Sequence, residues 1–226
     1  MRTRGMLSIA IIVILLASII PIQNNVELAE EKIIFFADSE PELLISTGSS
    51  SGHVNGTKIE STPMGLVVAG DTRNSLNLGG IQLQATSAYN QIVDADSYVA
   101  LVDEQGVWQW AVMPMASQGL TFIEALTTSN SGEIYIAGTI LGQVDFGSNP
   151  NSPSLLSQNL DGFVAKLDPS GQWEWAISFQ TATNNDSNSS VVTGLDVDPV
   201  SGELIISGTH KGPTDFAGTL LSLIHI

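Results

Sequence analysis

The chain is 226 residues long, 43% apolar and only 13% charged, and 23 acids against 7 bases give it a net charge of −16. A nucleic-acid partner needs clustered cations to displace counterions from phosphate. Lys32, Lys58, Arg73, Lys166 and Lys211 are scattered, which argues against DNA, RNA and an anionic membrane surface. The absence of cysteine excludes disulfides, thiolate zinc sites and a cysteine nucleophile.

Residues 1–22 carry an address. Arg2 and Arg4 precede an apolar run that ends at Ile20, and Pro21 breaks it. A short basic region before about fifteen apolar residues predicts a helical signal peptide, or an N-terminal anchor where it is not cleaved. Either outcome places the rest of the chain outside the cytoplasm, extracellular or on the cell surface. Membrane contact is expected only through this segment, if it is retained. Residues 23–56 read as a linker with uncertain first strands. Within them Gly48-Ser49-Ser50-Ser51-Gly52, followed by His53, matches the nucleophile-elbow pattern. That motif must sit between a strand and a helix, and here it lies in a serine-rich linker with no helix after it, so no catalytic residue is assigned.

Residues 57–220 are organised by repetition. Asp96–Asp103 matches Asp161–Asp168 at an offset of 65, and Gly106–Ala111 matches Gly171–Ala176 at the same offset. Ser131–Thr139 matches Ser201–Thr209 at an offset of 70. An earlier copy of the third motif stands at Gly65–Asp71, and Asp145-Phe146-Gly147 is echoed by Asp215-Phe216-Ala217. Four strand-like segments make one unit: Phe163–Asp168, Trp173–Phe179, Gly194–Val197 and Glu203–Ser207. Turns that open on Asp and close on Gly separate the first two and the last two. The stretch Leu141–Leu160, rich in Ser, Asn and Pro, reads as one long loop. Antiparallel quartets in series predict an all-β protein: a partial β-propeller of four-stranded blades, two full and part of a third. A β-sandwich gives no reason for repeats of this length, and a β-helix would have a shorter period.

Trp108, Trp110, Trp173 and Trp175 are all the tryptophans, and they recur at equivalent places. Together with Asp96, Asp161, Gly138 and Gly208 they are expected to hold the repeat together, the rings packing between blades. An exposed aromatic strip could instead bind sugar. The Asp-x-Asp pairs Asp94/Asp96 and Asp196/Asp198 are the candidate ligands for Ca²⁺, which takes several oxygens from loops. No EF-hand or glycine-rich calcium motif surrounds them, and Asp also opens turns by accepting from its own backbone. No cofactor is otherwise expected. Asn55, Asn185 and Asn188 head glycosylation sequons. His53 and His210 are isolated.

The order Asp-x-aromatic-Val-Ala-x-Leu-Asp, Gly-x-Trp-x-Trp-Ala, Gly-x-aliphatic-x-aliphatic-Ser/Ala-Gly-Thr and Asp-Phe resembles the SBBP-type repeats of secreted prokaryotic β-propeller proteins, over residues 62–220. The resemblance implies a propeller fold and an extracellular setting, and no single activity. Residues 221–226, Leu-Ser-Leu-Ile-His-Ile, are what one frame of a transposase-end sequencing adapter encodes, so they are set aside as an artefact and the natural chain is expected to continue. Function reads as a non-catalytic binding or interaction module for a protein or glycan, through Leu141–Leu160 and Thr183–Ser190. The alternative is a fragment of a propeller enzyme, quinoprotein-like or a hydrolase, with its site in further blades.

Overall fold

A computed structural model describes residues 54–73, 75–85, 96–116, 119–182 and 187–216 with their side chains, and the strands at 29–37, 40–49 and 219–221 as backbone alone. The predicted signal or anchor, Asp94 and most of residues 221–226 lie outside the described residues, as does His53. Among the described residues the protein is all-β and its sheets are built on antiparallel ladders.

Strands β1 (Ala29–Ala37) and β2 (Glu40–Ser49) form a hairpin. Strands β3 (Val54–Thr62) and β4 (Gly65–Thr72) follow, then a small hairpin of β5 (Leu76–Leu78) and β6 (Ile81–Leu83). With β7 (Asp96–Val102) and β8 (Trp108–Val112), β3 and β4 make a four-stranded sheet ordered β3-β4-β7-β8. After the short β9 (Pro114–Ala116), a second quartet is ordered β10-β11-β12-β13, from β10 (Leu120–Thr128), β11 (Ile134–Phe146), β12 (Ser154–Leu167) and β13 (Trp173–Thr181). The chain then forms the hairpin of β14 (Ser189–Val197) and β15 (Leu204–Lys211), followed by β16 (Thr214–Phe216) and β17 (Thr219–Leu221).

Two sequence expectations are corrected. The four segments grouped from Phe163 to Ser207 are all strands, but they are not four consecutive neighbours. The first two, in β12 and β13, pair with each other beside β10 and β11, whereas the last two, in β14 and β15, pair with each other and reach β12 only through one parallel bridge, Leu160 to Ser189. Strand pairing follows the tight turns. The Asp103, Asp168 and Asp198 carboxylates each accept backbone N–H bonds of 2.7–2.9 Å within their own turns. Gly106, Gly171 and Gly202 close those turns at φ of 80°, 82° and 73°, a region that only glycine enters without cost. The longer connection from β13 to β14 crosses to the next hairpin. Leu141–Leu160, in turn, is no loop. β11 runs to Phe146 and β12 starts at Ser154, so only a short turn separates two long paired strands.

Matched sequences hold matched ladder places. A bulge falls in β3 at Gly56/Lys58, in β10 at Ile123/Ala125 and in β14 at Val192/Gly194. Opposite stand Gly70, Gly138 and Gly208. A Cβ at each would overlap the carbonyl of Asn55, Phe122 or Val191, with the carbonyl carbon 2.7, 2.9 and 3.1 Å away. Those glycines are there because the bulged strand lies against them. A second irregularity recurs at Leu101/Val102 and Lys166/Leu167, where the Trp-x-Trp strand slips past its neighbour. The hairpin β1–β2 has it too, at Phe35/Phe36. Phe35 is thus paired with Leu43 as Leu101 is with Trp110 and Lys166 with Trp175.

The cores lie between sheets. Val67, Ala69, Val99 and Leu101 of the first quartet meet Ile134, Ile136, Phe163, Ala165 and Leu167 of the second. The opposite face of the first quartet, with Val68, Tyr98 and Ala100, packs on Leu76 and Leu78 of β5. The opposite face of the second, with Ala137 and Val164, meets Val192 of β14. β7 is buried along its whole length, which is why it reads as a continuous apolar run rather than an alternating one. Two buried hydroxyls help to join neighbours: Ser97 N donates to Thr121 Oγ1 at 3.0 Å and Gly162 N to Ser190 Oγ at 2.8 Å.

Candidate functional site

The first strands of three hairpins run side by side, with β10 against both β3 and β14. Where β3 and β10 end, they leave a groove of about 640 Å³. It is lined by Glu60, Ser61 and Thr62 from β3, Thr127 to Asn130 at the end of β10, and Leu195 and Asp196 from β14. A second hollow of about 610 Å³ shares Thr128, Ser129, Asn130 and Asp196 and runs on over Glu133 and the Asp198–Gly202 turn. The wall is fixed where Thr128 Oγ1 donates to the Ser61 carbonyl at 2.8 Å.

Two carboxylates set the electrostatics of the groove. Burial pushes the Glu60 carboxyl above its ordinary range, and the charge of Asp196 adds to the rise. Asp198 is held below its ordinary range by the N–H groups of Ser201 and Val200. On the rim, Lys166 is paired with Glu133 and also with Glu174 at 2.8 Å. Burial alone would lower the Lys166 ammonium, but hydrogen bonds to the two carboxylates outweigh it and hold its pKa above the ordinary lysine range. The bond from Lys166 in turn holds Glu133 low, with Ser129 and Ser131 adding smaller shares.

A depressed acid contributes stability that is complete above its unfolded pKa and is lost as pH falls through the folded value. Glu133 starts from an ordinary value of 4.5 and is lowered, so its contribution disappears on acidification below that point. Its side chain is one-third exposed, and solvent screening limits the pair to about 0.5–1 kcal/mol. Glu133→Gln is expected to lower the melting temperature near neutrality by about 1–4 °C, and the difference from the parent should shrink steadily as the pH is taken below 4.5, measured by thermal unfolding across a pH series.

The groove offers hydroxyls, an amide and carboxylates, which can exchange hydrogen bonds with a polar ligand. None of its serines or threonines has a histidine beside it in the lining. His210 Nδ1 lies 3.1 Å from the Gly212 carbonyl and 3.3 Å from Thr214 Oγ1, at the far end of β15. Among the described residues no three of His, Cys, Asp and Glu are grouped so as to hold a metal ion.

The residues singled out in the sequence are mostly placed elsewhere. Asp96 heads β7, buried, with Thr72 as its ladder partner. Asp161, the matching residue of β12, is a structural acceptor: its Oδ1 takes bonds from Thr181 N at 2.9 Å and Thr181 Oγ1 at 2.7 Å, and its Oδ2 takes one from Ser157 at 2.6 Å. Of the pair Asp196/Asp198, Asp196 stands in the groove wall and Asp198 turns into its own turn. Trp108 is buried against β5 and Trp173 meets Phe146 edge-on at 5.0 Å. Trp110 Nε1 donates to the Pro169 carbonyl at 3.1 Å, and Trp175 lies 6.2 Å from Tyr135. No tryptophan lines the groove.

Of the predicted contact segment Thr183–Ser190, residues 183–186 lie outside the described residues, and Asn185 with them. Asn188 and Ser190 point inward: the Asn188 amide donates to the Ala182 carbonyl at 2.7 Å and is buried, so this sequon is closed to an oligosaccharide in the folded protein. Asn55 is exposed, its amide 3.2 Å from Asp71. The groove residues Glu60, Thr62, Thr128 and Asn130 carry no motif. Their only signal in the sequence is a shared place at the ends of successive strands. Neither the protein-family models nor the curated proteins contain a match to this chain.

Proposed function

We propose that the protein is an exported, non-catalytic binding module of β-propeller type, and that it takes a glycan in the groove where β3, β10 and β14 meet. The observation that carries this reading is the convergence of hydroxyl, amide and carboxylate groups from three successive hairpins on one polar hollow. Antiparallel quartets stacked face to face, with their first strands adjacent, support the propeller arrangement. The N-terminal apolar segment and the acidic surface support export and solubility. A many-hydroxyl ligand fits such a lining because each hydroxyl both donates and accepts.

Titration of the full chain with neutral oligosaccharides, followed by calorimetry, tests the reading. Binding is expected, and Asn130→Ala or Asp196→Asn should weaken it about tenfold, the equivalent of roughly 1.4 kcal/mol. Background heats across the panel, or binding indifferent to both substitutions, would overturn the assignment of the groove.

A further inference from the structure

We infer that the groove takes a linear oligosaccharide several units long, and that Glu124 of β10 is a further binding residue for it, about 10 Å along the strand from the groove. This assignment rests on the glycan reading and adds to it a ligand length and a contact outside the groove.

Glu124 is placed by the backbone. Ile123 pairs with Gly138 and Ala125 with Ala137, so Glu124 is the bulged residue, left without a ladder partner. A bulge bends its strand and re-aims a side chain. The strand around it is enclosed. Ile123 and Leu126 lie in the core shared with the first quartet, Ala125 lies in the core shared with β14, and β11 is paired along one edge. Glu124 is nevertheless exposed, and it is the one exposed residue of β10. With both faces and one edge taken, its side chain emerges along the open edge. A charge on a surface turn would need no such device. Here it takes a bulge, with Gly138 opposite to make room for it, to bring one carboxylate out of a covered strand. Among the described residues that carboxylate has no hydrogen bond or ion pair.

The groove opens along the same edge. Its lining comes from β3, β10, β14 and the turns beside them, and none of it from β4, β11 or β15. Glu60, Thr127 and Asp196 hold one ladder place on the three strands, opposite Val67, Tyr135 and Ile205, and all three line the groove. Each follows the bulged residue of its own strand by three positions, Thr57 in β3, Glu124 in β10 and Thr193 in β14. Three residues of strand span about 10 Å, roughly the length of two pyranose rings. A sugar chain that fills the groove and runs on along β10 therefore meets Glu124 about two units later. Thr57 and Thr193 are exposed as well, but Glu124 is the decisive residue, because β10 lies between two described neighbours. Its carboxylate accepts from sugar hydroxyls, and two hydroxyls on adjacent carbons can donate to both its oxygens.

Calorimetric titration of the full chain with neutral gluco-, manno- and galacto-oligosaccharides, each from disaccharide to hexasaccharide, tests the assignment. In a series that binds, affinity is expected to rise at least about tenfold from the shortest member to the longest. Glu124→Ala should remove that rise, and Glu124→Gln, which still accepts a hydrogen bond, should keep part of it. Asp196→Asn should instead weaken every length alike. Glu124 is exposed, so both of its variants should melt within about 2 °C of the parent, which separates a lost contact from a lost fold. Equal affinity at every length, or a rise that survives Glu124→Ala, would overturn the inference and leave the groove reading standing. Background heats with every oligosaccharide would overturn both.

Discussion

Gly138→Ala is expected to unfold the protein or to cost it at least about 3 kcal/mol, the upper part of the range for overpacking. For a chain of this size that is a fall in melting temperature of roughly 6–12 °C. The cause is backbone against backbone. A methyl group on Gly138 meets the Phe122 carbonyl, with the Glu124 nitrogen 3.0 Å away on the other side. No side chain can swing aside to relieve it. The strand that would have to move is β10, which is held to β11 along the ladder from Leu120 to Thr128 and whose Leu126 sits in the main core. Helical or loop alanine propensity is irrelevant here, because the φ of Gly138 is ordinary and the strain is wholly steric. Gly80→Ala is the control: its Cβ would meet nothing within 4 Å, although its φ of 102° adds some strain. Thermal unfolding of both variants by circular dichroism separates the two causes. A Gly138→Ala protein that melts within about 1 °C of the parent would show that β10 can yield, contrary to the overpacking argument.

The same glycine shows how far the sequence could be read. Gly138 and Gly208 were visible as recurring positions beside an aliphatic run, and a recurring glycine in a strand points to a bulge or a close backbone approach. The bulged partner was not visible, because Glu124 stands in β10 where Thr57 and Thr193 stand in the other two copies, and a lone threonine carries no bulge signal. Strand existence was legible from the alternation around Trp173 and from the Asp-to-Gly turns. The grouping of strands into sheets was not. A repeat has no intrinsic starting point, so offsets of 65 and 70 fit any permutation of the four strands, and only the pairing decides among them. β1–β2 escaped because Pro41 and Leu43 stand at the ladder places of Trp108 and Trp110, which removes the aromatic signal and keeps the geometry. Leu141–Leu160 misled for the opposite reason: a Ser/Asn-rich composition suggested a loop, whereas backbone hydrogen bonds between β11 and β12 need no particular side chain. The groove was the least legible of all, since its residues share only a position in space.

Trp110 and Trp175 are equals in the sequence and are expected to behave as unequals. Trp110→Ala should cost about 3–5 kcal/mol, in the range for removing a large packed aromatic ring, and Trp110→Phe about 1–2 kcal/mol. The phenyl ring keeps some of the packing, but it cannot donate to the Pro169 carbonyl, and a part-buried acceptor left without its donor costs on the order of 1 kcal/mol. The indole of Trp110 also fits its neighbour closely: a Cβ on Gly171 would come within 2.6 Å of its Cδ2. It therefore clamps the first quartet onto the Asp168–Gly171 turn of the second. Among the described residues no such turn meets Trp175. Its ring lies beside Tyr135 on the face towards β14, and among the described residues its indole nitrogen donates to nothing. Trp175→Phe should then shift stability by no more than about 0.5 kcal/mol, as expected where no specific feature is lost. Denaturant unfolding of the two Phe variants measures the difference. If the costs were equal, the indole bond to Pro169 would contribute nothing and the quartets would be held by the apolar core alone.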